Sequence, residues 1–352
     1  MKTSTVRIGL LTPGEGPAGI WSPSAQASAL LAVAEINESG GLLNREVELV
    51  LKDGGNTARE AALAAEDLVE LDEADAVVAL LPSFARGPVS QAIGTRVPFI
   101  YTPQFEGFES DTSVVTVGET SDELLRPGLA WLCEHKSTQR FYLLGNDYIW
   151  PRSTLATARR MIRDMGAMVV GERILPFGFT DYGPVIEEIK RSRADAIMPY
   201  LLGYEALGFN RAFVEAGLDK HVLRFSSAFD ETVLYALGPD CTENIFVTSA
   251  YFSSLRSRNN DRFLERYHQS FGDSPPPTNG FGQSCYEGVH CLAALVADTG
   301  DLDPRDLQQR VGRTIQGRTA RGFDPAAVAG GTRPVHLATV DGIEFRIIDL
   351  QS

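Results

Sequence analysis

The chain is poor in the groups that carry covalent and metal chemistry. Its four cysteines, Cys133, Cys241, Cys285 and Cys291, form no CxxC pair and lie in apolar surroundings. They read as reduced, mostly buried thiols, which excludes a disulfide framework. The five histidines, His135, His221, His268, His290 and His336, are scattered, and HExxH, GxSxG and GxxxxGK[ST] are all missing. No catalytic residue, metal site or cofactor is therefore expected. No apolar run approaches the roughly 20 residues a spanning helix needs, so no membrane insertion is predicted. Positive charge is also scarce: 32 basic against 46 acidic side chains leave a net charge of −14. Without a basic stripe such a chain repels a phosphate backbone, and direct nucleic-acid binding is excluded. Met1-Lys2-Thr3-Ser4-Thr5 leads into an apolar strand with no h-region before it. That start predicts a cytoplasmic protein, or a periplasmic or extracellular one whose signal peptide has been removed.

What is present is a regular alternation of strand and helix signals over 352 residues, a length that predicts two domains. The strand Val6–Leu11 is followed by a helix from Ser24 to Ser39, with Ala27, Leu30, Leu31 and Ala34 on one face and Gly40-Gly41 as the stop. Strands at Val47–Lys52, Ala76–Leu81 and Phe99–Tyr101 follow, and Thr57 with Glu60 forms a capping box that opens a helix between the first two. Near Thr120 the pattern restarts. It runs through strands at Phe141–Leu144, Met168–Leu175, Ala196–Leu201 and Val222–Phe225, each followed by a helix signal, and through Asn244–Ser249. Two further helices, Asp261–Phe271 and Tyr286–Asp298, and a hairpin around Asp341-Gly342 close the chain. The order predicts an α/β protein in which each half is a doubly wound parallel sheet.

Gly14-Glu-Gly-Pro-Ala-Gly19 is a literal GxGxxG after the first strand, with Asp53 as a conceivable ribose acceptor. A dinucleotide fingerprint needs the helix to open inside the glycine turn. Here Pro13, Pro17 and Pro23 intervene, and Asp53 lies 34 residues beyond Gly19, where about 20 is usual. A glycine loop over a cleft is the expected form.

Two aromatic strings each follow a strand directly: YTPQFEGFE at Tyr101–Glu109 and GNDYIWPR at Gly145–Arg152. Strand ends are where such sheets bind ligands. The strings are rich in tyrosine, tryptophan and uncharged polar groups, which suits recognition of a small molecule without transformation. Tyr101, Tyr148 and Trp150 either contact a ligand or fill the core; Ser226 and Ser227, after the strand ending at Phe225, either contact a ligand or cap the next helix. Asp147 reads as a turn residue rather than a general base. After Phe225 the first acids are Asp230 and Glu231, where a helix should begin, so no carboxylate stands ready for a ligand ammonium.

The segments IGLL, LAVAEINESGGLLNREVEL, QFEGFE, GNDYIWPR and YFSS resemble type I periplasmic-binding-protein folds, over about residues 6 to 348. Within that group the chain resembles the amide and urea branch, above all the AmiC-like cytoplasmic amide sensors that silence amidase or nitrile hydratase operons. The resemblance implies two lobes joined by three hinge crossovers: 1–118 with 252–325, and 119–251 with 326–352. Returns of the chain are expected near Ser249–Ser254 and near Phe323–Val340, with the ligand between the lobes and closure by a hinge motion. It matches Ser83, Tyr101 and Tyr148 to ligand contacts. Where the branch carries a Pro-Thr-Pro-Tyr, this chain has Thr102-Pro103-Gln104-Phe105, so either Thr102 or Gln104 supplies the displaced hydrogen-bonding group. The expected ligand is a small neutral amide or urea. The expected partner is an antiterminator or similar regulator, with a homodimer compatible; the alternative is the substrate-binding protein of an amide or urea ABC transporter.

Overall fold

A computed structural model describes residues 5–321 and 327–349. The chain divides into two compact units, Met1–Gly118 with Leu255–Arg333 and Glu119–Ser254 with Pro334–Ser352. In chain order the first unit begins with β1 (Thr5–Thr12), α1 (Ser22–Glu38), β2 (Glu46–Asp53), α2 (Ala58–Glu70), β3 (Ala76–Ala79), α3 (Ser83–Ile93), β4 (Phe99–Tyr101) and β5 (Val114–Thr116). The second unit follows with α4 (Ser121–His135), β6 (Arg140–Asn146), α5 (Ile149–Asp164), β7 (Met168–Leu175), α6 (Gly183–Ser192), β8 (Ala196–Tyr200), α7 (Gly203–Glu215), β9 (Leu223–Ser226), α8 (Glu231–Leu237) and β10 (Ile245–Ser249). The chain then returns to the first unit with α9 (Arg258–Phe271), α10 (Gly280–Thr299), α11 (Pro304–Arg310), β11 (Ile315–Gln316) and β12 (Ala327–Val328), and ends in the second with β13 (His336–Asp341) and β14 (Glu344–Ile348).

The first unit's five-stranded sheet has the order β2-β1-β3-β4-β5, and every pair in it is parallel. The second unit's sheet runs β14-β13-β10-β9-β8-β6-β7; its β6 to β10 strands are parallel, while β13 and β14 add an antiparallel hairpin at one edge. The α/β class and the two doubly wound sheets are as expected, except that the C-terminal hairpin makes the second sheet mixed. The short β5 carries no sequence signal beyond Val114-Val115.

Local sequence chemistry explains several boundaries. Thr57 accepts the Glu60 amide at 3.2 Å, and Glu60 takes the Thr57 amide at 3.0 Å, the reciprocal cap that starts α2. Gly41 donates to the Ile36 carbonyl at 2.9 Å with φ of 79°, closing α1. Periodicity gives only part of the inward face of α1: Ala27 and Leu31 are buried, but Leu30 and Ala34 are exposed, and Ser28, Ala29, Ala32, Glu35 and Ile36 are buried as well. The helix packs against β1 and β2 and also against α9 and α10, so it is enclosed on more than one side. Stretch 322–326, where the last crossover was expected to begin, lies outside the described residues. The first unit extends to Arg333 rather than 325 because β12 pairs with β11, and Arg333 Nη1 donates to the Val328 carbonyl at 3.0 Å. Of the thiols, Cys285 and Cys291 are buried, and burial pushes both up to about 12, but Cys133 and Cys241 are only half-buried.

Candidate functional site

Both parallel sheets contain the strand order 2-1-3-4-5, which places a topological switch between β1 and β3 in the first unit and between β6 and β8 in the second. At such a point the connections leave in opposite directions and open a crevice at the strands' carboxyl ends. Ser83 follows β3, Tyr148 and Trp150 follow β6, and Tyr200 ends β8. The second aromatic string thus lies at its unit's switch point, whereas the first follows β4, the strand beside β3.

In the first unit, Ser83 opens α3 and its Oγ lies 3.5 Å from the Tyr101 hydroxyl, which donates to the Leu81 carbonyl at 2.7 Å. Burial pushes the Tyr101 phenol up to about 12, partly opposed by the nearby Arg86 charge, so it remains a neutral donor. Three residues on from Ser83, Arg86 lies on the same helical face. Its Nη2 donates to Glu106 Oε1 at 2.6 Å and its Nε to Glu109 Oε2 at 2.5 Å, while its guanidinium carbon sits 5.0 Å from the centroids of both Tyr101 and Phe105. Both acids of the EGFE string are therefore paired with one cation that sequence analysis passed over. The signal was the Ser83/Arg86 spacing together with two glutamates after a strand. Arg86 Nη1 and Glu106 Oε2 are both enclosed and have no hydrogen-bond partner among the described residues.

Thr102 and Gln104 separate clearly. Thr102 is fully buried, its hydroxyl donating to the Ala79 carbonyl at 3.1 Å and lying 3.4 Å from Cys285 Sγ of α10. Its hydroxyl is spent inside the unit. Gln104 is half-buried on the loop beyond β4.

In the second unit, Tyr148 is the N-cap residue of α5 and stacks on Phe177 at 5.5 Å, with Trp150 at 6.3 Å. Trp150 meets Tyr200 edge-on at 5.4 Å. The Trp150 side chain is buried, and its Nε1 has no hydrogen-bond partner among the described residues. A buried indole N–H normally finds one. Behind these rings Asn146 holds the frame: its Nδ2 donates to Glu205 Oε2 at 2.5 Å and its Oδ1 accepts from the Leu202 amide at 2.8 Å. Ser226 donates to the Pro199 carbonyl at 2.9 Å and accepts from the Ala228 amide at 3.0 Å, so it braces the β8–β9 connection and does not present a free hydroxyl. Ser227 reaches the Tyr200 hydroxyl at 3.5 Å. Neither serine caps α8; Asp230 does, accepting the Val233 amide at 3.0 Å.

Asp147 accepts from Arg152 Nε at 2.6 Å, and that contact holds its carboxyl below the ordinary range, which makes it a poor base near neutral pH. Among the described residues no cluster of His, Cys, Asp and Glu could hold a metal ion, and no helix is long and apolar enough to cross a membrane.

The glycine loop is filled by the protein itself. Asp53 Oδ1 accepts the amides of Gly14 at 2.7 Å and Gly55 at 2.8 Å, so a carboxylate already occupies the loop. A Cβ on Gly14 would meet Asp53 Oδ2 at 2.5 Å and displace that side chain, while Gly16, with φ of 74°, holds a backbone conformation that favours glycine. The helix α1 starts at Ser22, after a single 3-10 turn at Gly19–Trp21. Replacing Asp53 with Ala should speed amide exchange at Gly14 and Gly55, and NAD should leave the melting temperature of both proteins unchanged. Protection of those amides by added NAD would restore the nucleotide interpretation.

Comparison with known proteins adds the family context. A family model described as periplasmic binding protein matches residues 5–334. A Leu/Ile/Val-binding protein homolog of Brucella melitensis is 24% identical over 317 residues, covering 84% of this chain and 76% of the relative. The leucine-, isoleucine-, valine-, threonine- and alanine-binding protein of Pseudomonas aeruginosa is 21% identical over 334 residues, covering 92% and 87%. Among solved structures, the branched-chain amino acid transporter substrate binding protein LivJ of Streptococcus pneumoniae, in complex with isoleucine, superposes with a TM-score of 0.83 at 19% identity, covering 98% of this chain and 99% of that one. A solute binding protein from R. palustris in complex with 4-hydroxybenzoate gives a TM-score of 0.83 at 20% identity, with 97% and 95% covered. At these identities the structural matches establish the fold.

Proposed function

This chain belongs to the periplasmic binding protein family, and we propose that it is the substrate-binding receptor of a transporter for a small, uncharged polar solute of the amide or urea class. The relatives are named as binding proteins rather than enzymes. They favour the transport role, in a periplasmic setting, over the cytoplasmic sensor and regulatory partner that the amide-sensor resemblance suggests.

The observation that carries the choice of ligand is the Arg86–Glu106 pair. One contact of the pair is made, while one enclosed donor, Nη1, and one enclosed acceptor, Oε2, have no hydrogen-bond partner among the described residues. A primary amide offers a carbonyl oxygen and an N–H in the same plane and answers both. With Glu109 also on Arg86, the cluster does not carry the excess positive charge that a carboxylate ligand would need. An amino-acid ligand needs a carboxylate for its ammonium. In the second unit Asp230 caps α8, while Glu231 accepts the Ser253 amide at 2.6 Å, and burial pushes its carboxyl up to about 7. Each acid has one oxygen in structural work, and Glu231 Oε2 is enclosed with no hydrogen-bond partner among the described residues. Within the second unit, the aromatic cluster of Tyr148, Phe177, Trp150 and Tyr200 offers flat apolar faces and one enclosed indole donor.

Trp150→Phe should weaken amide binding while leaving the unliganded protein folded, because the indole N–H makes no bond among the described residues. Losing one enclosed donor costs about 1–3 kcal/mol, roughly 5- to 150-fold in affinity. Ser83→Ala should act in the same direction. Calorimetric titration with propionamide, acetamide and urea measures both. Unchanged affinity in the two variants, or binding of isoleucine or 4-hydroxybenzoate in preference to every amide, overturns this assignment.

A further inference from the structure

A cavity of about 260 Å³ lies wholly within the first unit and is lined by Glu35 of α1, Asn259, Arg262, Phe263 and Arg266 of α9, Tyr286 of α10, and Gly317-Arg318-Thr319 after β11. That is many times the roughly 10–15 Å³ needed to admit one water. It lies away from the switch point. Glu35 is near the C-terminal end of α1, which runs back along the sheet, and neighbouring Asn37 bonds the backbone of Val47 at the start of β2 at 2.9 and 2.7 Å. The cavity is therefore at the amino-terminal edge of the strands, opposite Ser83 and Tyr101.

Its charge is unusual for so acidic a chain. Glu35 is buried and thoroughly engaged: Oε2 accepts from the Tyr286 hydroxyl at 2.8 Å and faces His290 Nε2 at 3.0 Å, and Oε1 lies 2.6 Å from Arg266 Nε. Burial alone would raise its carboxyl, but the His290 and Tyr286 hydrogen bonds and the His290 and Arg318 charges outweigh that and hold it below the ordinary value. Arg266 is likewise committed, with Nη2 on Glu38 at 2.7 Å. Two guanidinia remain. Arg318 reaches Glu35 only at 3.8 Å, and Arg262 makes no ion pair among the described residues. Three arginines against Glu35 and Glu38 leave the cavity wall with an excess of positive charge in a molecule whose net charge is −14.

We propose that this cavity is a second ligand site, one that takes a small oxyanion of the phosphate or pyrophosphate type between Arg262 and Arg318. Guanidinium groups present paired N–H donors that match the oxygens of such anions. Arg266 pairs with both Glu35 and Glu38, and with Arg262 and Arg318 added the five groups carry one net positive charge for the guest. The site is independent of the amide pocket and stands or falls separately from it.

The test is calorimetric titration of the full chain with inorganic phosphate and with pyrophosphate, at constant ionic strength. The double variant Arg262→Gln/Arg318→Gln is compared with the parent, and Arg318→Lys is included as a partial replacement. Both arginines are exposed enough for the variants to fold, which the melting temperature without anion verifies. Saturable binding is expected in the parent, weakened at least about 10-fold in the double variant and less in Arg318→Lys, because each charge-assisted bond is roughly twice as strong as a neutral one. Propionamide affinity should be the same in all three proteins. Absence of saturable binding in the parent, or equal binding in the double variant, overturns the proposal.

Discussion

Replacing Arg86 with Met should lower the stability of the first unit by about 3 kcal/mol near neutral pH, the lower end of what breaking a buried ion pair costs. The Arg86 side chain is only 10% exposed and Glu106 only 8%. Its loss strands two carboxylates beside Tyr101 and Phe105 and removes a guanidinium that packs on both rings. For a unit of this size the change corresponds to a fall in melting temperature of about 6–12 °C. Acidification, which protonates the stranded carboxyls, should narrow the gap, and adding Glu106→Gln and Glu109→Gln to the variant should recover part of the loss. A drop below about 1 kcal/mol, the range of an exposed surface pair, would show that the cluster is solvated and would remove the basis for its role in recognition.

Glu231→Gln should have the opposite sign at alkaline pH. Glu231 is fully buried in the first turn of α8, and burial pushes its carboxyl to about 7, with the hydrogen bond from the Ser253 amide pulling the other way. Its folded-state value thus lies above the ordinary 4.5. A carboxyl raised on folding contributes stability that is complete below about 4.5 and is lost as the pH rises through about 7. Between pH 5 and pH 8 the wild-type protein should therefore lose up to about 3 kcal/mol through this one group. The glutamine variant retains an acceptor for the Ser253 amide and cannot ionise. Its melting temperature should be similar to or below that of the wild type at pH 5 and above it at pH 8. A difference that does not change with pH would mean that water reaches the carboxylate.

The periodic parts of the molecule were legible because their causes are local. The capping box at Thr57/Glu60, the glycine stop after Glu38 and the strands Phe99–Tyr101 and Met168–Leu175 each follow from a few neighbouring residues. What required the folded chain were pairings across long sequence separations. Arg86 meets Glu106 and Glu109 only because α3 folds back beside the loop after β4. Thr102 and Gln104 are two residues apart and equally polar on paper; the packing of α10 encloses the first, while the second stays half-buried. Ser226, which could contact a ligand or cap a helix, caps none, because β9 lies beside β8 and offers it the Pro199 carbonyl. The fully enclosed side of α1 was missed for the same reason, since α9 and α10 arrive from more than 200 residues further along the chain.

The most direct check of the central claim, reversible binding of a small neutral amide or urea without conversion, is native mass spectrometry of the full chain incubated with an equimolar mixture of propionamide, acetamide, urea, isoleucine and 4-hydroxybenzoate, with the bound compound released by denaturation and identified. The expected result is one amide or urea molecule per chain, recovered chemically unchanged, and its loss in Trp150→Phe. Recovery of isoleucine or 4-hydroxybenzoate in its place, or of a hydrolysed product, would contradict it.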